Sequence, residues 1–218
     1  SFKLKVTSKF VSLLKNQPTA ASELDILELD ELTHLPLEEK IKIYYLFGGI
    51  IHYYYLFNKF SCANFSEILE KIIFNRFGPL RREISDILVE EFGSEHSSYH
   101  AIISALASGK TSMKEIGDRA GITVTSLSPY LDNLINLLGI VNYKVPIGDE
   151  KGRSRLGRYY LTDPFFRFYA RFVYPYMSRF EVGDYSYVIE KVHEGWDSHA
   201  GRCFEDLVRE ILTPELIR

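Results

Sequence analysis

Two cysteines, Cys62 and Cys203, are all that the 218 residues hold. That is too few for a disulfide framework, and it fits a reducing, cytoplasmic setting. No uninterrupted apolar run reaches the ~20 residues that a membrane-spanning helix needs, and no secretory leader pattern is present. The nearest candidate, residues 41–57, holds Lys42, two glycines, His52 and several tyrosines, and reads as a buried helical pair. Charge of one sign is also lacking. The 26 Lys and Arg against 29 Asp and Glu leave a net charge of −3, so the chain as a whole does not advertise a polyanionic partner. A phosphate-cradling loop is missing too. Residues 104–111, Ser-Ala-Leu-Ala-Ser-Gly-Lys-Thr, come close, but Ser104 stands where that motif needs glycine and a helix precedes it where a strand is required. These absences exclude a membrane protein and a disulfide scaffold, and they leave no cofactor expected in this chain.

Aromatic residues are what the chain has in excess: 15 Phe and 15 Tyr, clustered at Tyr44–Tyr45, Tyr53–Phe57 and 165–176. In the last cluster Phe165, Phe168, Tyr169 and Phe172 recur at helical spacing, which reads as a core-facing stripe rather than a cofactor box. Residues 1–30 carry short strand-like pieces too small to fold alone. From Pro36 the pattern turns helical, with Glu38 and Glu39 in a first turn where carboxylates suit the helix dipole. Helices are expected over 37–47, from 50 to 58, after a cap at Asn64 or Ser66, and over 80–92 with Pro79 at the start.

The segment from 97 to 163 is the most informative. It reads as a helix over 97–108, a short helix over 113–120 capped by Ser112, a turn at Gly121, and a third helix over 126–138. In that third helix Pro129 is expected in the first turn. A strand over 140–145, a polar basic tip over 148–157 and a return strand over 158–161 follow. Helix, helix, helix, strand, tip, strand is the order of a winged helix-turn-helix, a binding module rather than a catalytic site. After Asp163-Pro164 come the aromatic helix, a helix near 187–192 and a last one over 200–212. The expected fold is therefore mainly α: a helical, lid-like domain (31–92), a winged helix with its C-terminal helix (93–180) and a helical extension (181–218).

Charge supports the binding reading. Residues 98–180 hold eleven Lys and Arg against six acids, +5, so the remainder carries −8. A basic module in an acidic chain is the footprint of phosphate contact. Lys110, Lys151, Arg153, Arg155 and Arg158 are the candidate phosphate contacts, and Ser126, Ser128 and Asn133 of the third helix the candidates for base edges. That helix has no Arg or Lys and carries Asp132, so the commonest specific contact, Arg to guanine, is missing. Double-stranded DNA held mainly by phosphates, with modest sequence preference, is the expected partner, and a protein partner is the alternative. The pair His96/His100 and the group His193, Glu194, Asp197 and His199 match no metal-ligand spacing, so no metal or catalytic residue is assigned.

Gly48-Gly49-Ile50, the run Ala105 through Ser108-Gly109-Lys110-Thr111, Tyr130-Leu131 through Leu138-Gly139-Ile140-Val141, and Gly157-Arg158-Tyr159-Tyr160 through Asp163-Pro164-Phe165-Phe166-Arg167-Phe168 together resemble one family. It is the archaeal-type AAA+/STAND-like ATPases, in which a nucleotide-binding core is followed by a helical lid, a winged helix and a restriction-endonuclease-like tail. The resemblance runs from Pro36 to Leu212, with residues 1–30 resembling the last strands of the core. It implies ATP and Mg only for full-length relatives, because the Walker motifs have no counterpart in this chain. Gly201-Arg202-Cys203-Phe204-Glu205 resembles the opening of the nuclease-like tail, without the paired acid and lysine that would hold metal. The resemblance thus points to a DNA-binding portion of such an ATPase, or to a regulatory module that lost its motor, and not to an enzyme in itself.

Overall fold

The computed structural model describes residues 35–145 and 156–216. The pieces expected in residues 1–30 and the hairpin tip with Lys151, Arg153 and Arg155 lie outside these. The described chain is mainly helical with one two-stranded antiparallel hairpin. Its contacts group it into two units, one of residues 82–171 and one of residues 35–81 together with 172–216. The boundaries drawn on the sequence, at 92/93 and 180/181, are thus each about ten residues later than those drawn by contact.

In the second unit α1 (Leu37–Phe47) buries Ile43, Leu46 and Phe47, while Lys42 pairs with Glu38 and Glu39 at 2.8 and 2.9 Å. Next comes α2 (Ile51–Lys59), whose Tyr54 hydroxyl donates to the Gly48 carbonyl at 2.7 Å. The short α3 (Phe65–Ile68) is capped by Asn64, which accepts from the Glu67 N–H at 2.9 Å. It widens into a π-turn over Leu69–Phe74 that buries Leu69, Ile72, Ile73 and Phe74. The helix expected from residue 80 starts later. The Leu80 N–H bonds back to the Ile72 carbonyl and the Arg81 N–H to that of Gly78, so both close a turn instead.

The first unit holds α4 (Glu83–Phe92), α5 (His96–Ala107), α6 (Met113–Ala120), α7 (Val124–Asn136), β1 (Val141–Lys144), β2 (Arg158–Leu161) and α8 (Pro164–Phe168), the last running into a π-turn over Tyr169–Val173. At its centre α5 buries seven residues, among them Tyr99, Ile102, Ile103 and Leu106. Leu127, Leu131 and Leu134 of α7 and Phe165 and Phe168 of α8 are also buried. Each such side chain contributes roughly 1.5–3 kcal/mol by leaving water. Ser112 caps α6 in a reciprocal box with Glu115. Gly121 then takes a left-handed φ of +71°, which favours glycine. Asp163 caps α8 through the Phe166 N–H at 2.9 Å, with Pro164 at its first position.

One expectation fails within α7. The helix begins at Val124, not at 126, so Pro129 lies inside it rather than in its first turn. Thr123 supplies an extended cap residue early enough for Val124 and Thr125 to join the helix, and Pro129 then deprives one carbonyl of its i→i−4 partner.

In the second unit, a 3₁₀ turn over Tyr174–Tyr176 and α9 (Met177–Glu181) lead into α10 (Tyr185–Leu216), 32 residues long. Two helices were expected here, and the structure has one. Val188, Val192, Gly195, His199 and Cys203 are buried at steps of four, three, four and four, a continuous helical stripe. Burying that stripe outweighs the ~1 kcal/mol that a helical glycine costs. Phe74 packs against Phe180 at 5.2 Å and Phe65 against Trp196 at 4.4 Å, between ring centroids.

Candidate functional site

In the first unit the start of α7 presents a row of exposed side chains: Thr123, Val124, Thr125, Ser126 and Ser128. Thr123 Oγ1 donates to Ser126 Oγ at 2.9 Å and shares a hydrogen with Thr125 Oγ1 at 3.2 Å, so three hydroxyls form one mesh on the first turn. The opposite flank, Leu127, Leu131 and Leu134, is buried, and this fixes which side of the helix faces outward. Ser126 and Ser128 therefore stand where a partner can reach them.

Asn133, expected at base edges, is engaged elsewhere. Its amide donates to the Tyr99 hydroxyl at 2.7 Å. Tyr99 in turn stacks on Phe92 at 3.4 Å and meets Tyr130 edge-on at 5.0 Å, a cluster that ties α4, α5 and α7 together. Facing a base would cost Asn133 that bond, and no short sequence signal announces a partner 34 residues away.

Lys110 is exposed in the turn before α6. The next residue, Thr111, accepts the Tyr159 N–H at 2.8 Å, which brings this turn beside β2. The hairpin is in register Val141↔Leu161, Asn142↔Tyr160, Tyr143↔Tyr159 and Lys144↔Arg158. Arg158 is half-buried, and its Nη1 donates to the carbonyls of Leu156 and Gly157, each at 3.0 Å. Lys144 is exposed, with its ammonium 5.5 Å from the Tyr160 ring centroid. Arg167, one of the eleven cations counted in the sequence, is buried and donates to the Leu161 carbonyl, so it braces α8 against β2 instead of facing a ligand.

The charge of the folded unit differs from that of the sequence window. Residues 82–171 include α4 and its carboxylates, and they hold eleven Lys and Arg against eleven Asp and Glu. The largest positive excess lies along residues 143–158, which hold five cations (Lys144, Lys151, Arg153, Arg155, Arg158) against Asp149 and Glu150.

Two titratable groups of this unit, the half-buried Glu83 and the buried His100, have shifted pKa values. Burial pushes the Glu83 carboxyl up to about 7, with a contribution from Asp86. Burial, with a smaller contribution from His96, pulls His100 down to about 4, and its Nε2 lies 3.4 Å from Ser85 Oγ. Ser85 is also 2.9 Å from the Tyr169 hydroxyl, so the group links α4, α5 and the π-turn after α8.

The second unit holds a thiol–imidazole pair that no motif announces, His199 Nε2 and Cys203 Sγ at 3.6 Å. Both also approach the Tyr45 carbonyl, at 2.9 and 3.3 Å. A nitrogen that donates to a carbonyl cannot accept the thiol proton, so the pair pins α10 to α1 and does not form a nucleophile and base. His193 is exposed while His199 is buried, so the two sit in different environments. Among the described residues no group of three or more His, Cys, Asp or Glu is placed to hold a metal ion, and no helix is long and apolar enough to cross a membrane.

Comparison with known proteins reaches only part of this arrangement. A family described as archaea bacterial proteins of unknown function matches residues 169–218, which covers the π-turn after α8 and all of α9 and α10 but not α7 or the hairpin. A curated relative from Methanocaldococcus jannaschii, uncharacterized protein MJECL04, is 33% identical over 175 residues, 80% of this chain. The match spans 38% of the relative's own length, so the greater part of that protein lies outside it. No solved structure matches the chain.

Proposed function

We propose that residues 96–161 form a winged helix-turn-helix that binds double-stranded DNA, led by phosphate contact through the hairpin. What carries this reading is the separation of charge within the unit: residues 143–158 carry a net +3 while its other residues carry a net −3. A uniformly charged surface would favour any polyanion, whereas five cations on one hairpin beside an exposed, hydroxyl-bearing helix start favour a partner with phosphates next to a groove. In this reading Lys110, Lys151, Arg153, Arg155 and Arg158 contact phosphates, while Ser126 and Ser128 face base edges. Two small hydroxyls without a bidentate partner give modest sequence preference. The module binds, and no catalytic role is assigned to it. The motifs quoted above and the greater length of the relative support placing the chain in the C-terminal part of an archaeal-type ATPase, with ATP and Mg belonging to a core outside it.

The neutrality of the whole unit favours a second reading, a module that docks another protein. Fluorescence anisotropy of a labelled duplex at two salt concentrations separates the two. Phosphate-led binding weakens steeply with salt, and Arg153→Ala with Arg155→Ala lowers the slope of log K against log salt by about 1.8. Unchanged affinity and slope in that double variant would remove the hairpin from the interface. No binding at low salt would transfer the case to the protein partner.

A further inference from the structure

The duplex reading uses Arg158 of the hairpin's outer face but leaves the aromatic and amide side chains of that face without a role. In an antiparallel pair, residues opposite one another share a face and successive residues alternate. Val141 and Leu161 are buried, and the half-buried rings of Tyr143 and Tyr159 lie 4.8 Å apart, so these four make the inner face. The register then puts Asn142, Lys144, Arg158 and Tyr160 on the outer face. Asn142 and Lys144 are exposed, and Tyr160 keeps 38% of its surface in water. Neither strand contains an acid.

We propose that this outer face, with Tyr160 at its centre, stacks an unpaired nucleotide at the edge of the bound duplex. The inference rests on the duplex reading above and names the form of DNA that the site takes. Each of the four side chains matches one part of a nucleotide. An exposed aromatic ring offers a face to a base whatever its identity. Lys144 lies diagonally across from that ring and Arg158 two residues along its own strand, so both can reach a phosphate beside a base stacked there, and the Asn142 amide, directly opposite the ring, can donate to and accept from a base edge. Arg158 is held in place by the Leu156 and Gly157 carbonyls, so its position is set before any ligand arrives. The Lys144 ammonium over the Tyr160 ring makes only a weak contact at so exposed a site. A base replaces it there, and the ammonium turns to the phosphate.

The base has to be unpaired. Inside a duplex both π-faces of every base are covered by its neighbours, so a ring on the protein surface meets a bare face only where the strands end or part. A hairpin whose connecting residues supply Lys151, Arg153 and Arg155 and whose outer face supplies a ring is therefore suited to a duplex with a single-stranded tail.

The test compares a blunt labelled duplex with the same duplex carrying a short single-stranded tail, using the full chain and anisotropy at one salt concentration. The first unpaired position is 2-aminopurine, whose fluorescence falls on stacking. Expected are about tenfold tighter binding of the tailed duplex and quenching of the 2-aminopurine. Both are lost in Tyr160→Ala and kept in Tyr160→Phe, with blunt-duplex affinity unchanged in either variant. Equal affinity of the wild-type chain for the two duplexes, or a tail preference that survives Tyr160→Ala, overturns the proposal and leaves duplex binding standing. Failure to bind either duplex overturns both readings.

Discussion

The two units reach similar burial by different routes. The unit of residues 82–171 is one stretch of chain, and its core pairs neighbours in sequence: α5 with α6, α6 with α7, β1 with β2. The other unit joins two stretches, and what holds α1 to α10 is a histidine and a cysteine on a carbonyl 154 and 158 residues away. In the first, local caps and turns specify the structure and leave the surface free for polar side chains. In the second, long-range contacts specify it, and each unit draws a histidine inside, His100 in the first and His199 in the second.

The sharpest way to break this comparison is to cut both cores. Phe165→Ala in the contiguous unit and Phe74→Ala in the discontinuous one, each at most 1% exposed, should each cost about 3–5 kcal/mol in urea denaturation. A much smaller loss in the discontinuous unit would mean that its long-range packing carries less weight than its burial implies.

The next effect is in pH. Glu83, raised from 4.5 to about 7, contributes stability that is complete below pH 4.5 and lost as pH rises through 7. His100, lowered from 6.5 to about 4, contributes stability that is complete above pH 6.5 and lost as pH falls through 4. Between pH 4.5 and 6.5 the two slopes oppose each other, and the wild-type unit should show a plateau there. Glu83→Gln should stabilise it at pH 8 by about 1–3 kcal/mol and uncover the histidine slope as a steady fall from pH 6.5 toward 4. A plateau unchanged in that variant would contradict the assignment of Glu83.

The smallest effects separate a structural polar group from a binding one on the same helix. Asn133→Ala should cost about 1 kcal/mol of stability through the lost bond to Tyr99 while duplex affinity holds. Ser126→Ala should leave the denaturation midpoint within about 0.5 kcal/mol and weaken binding. A reversed pattern would put Asn133 back at the base edges.

What could be read in advance follows the same division. Ser112, Gly121, the strand over 158–161 and Asp163-Pro164 are local signals, and the structure has each where the sequence places it. The start of α7 was misread because Thr123, Val124 and Thr125 are weak helix formers and Pro129 looked like a first-turn residue. The break expected between residues 192 and 200 failed because no local signal shows that α10 buries a stripe through Gly195. The bond from Asn133 to Tyr99 is not legible in the sequence because its partner is 34 residues away. The net charge of residues 82–171 is lower than that of the window 98–180 because α4, which contact places in that unit, adds five acids with the short turn that follows: Glu83, Asp86, Glu90, Glu91 and Glu95.

Gly117 sits in the middle of α6, and a methyl group there would stand 2.6 Å from the Ile122 carbonyl oxygen, which belongs to the turn leading into α7. The Ile122 N–H is bonded to the Gly117 carbonyl at 3.0 Å across the same gap. The approach of α7 to α6 is thus set by backbone against backbone, with a hydrogen atom as the spacer. Outward residues of α7 can then be exchanged without altering the angle at which that helix is held out. The unit is a mount with an exchangeable outer edge: substitutions at positions 125, 126 and 128 leave the seating of the helix intact so long as residue 117 has no side chain.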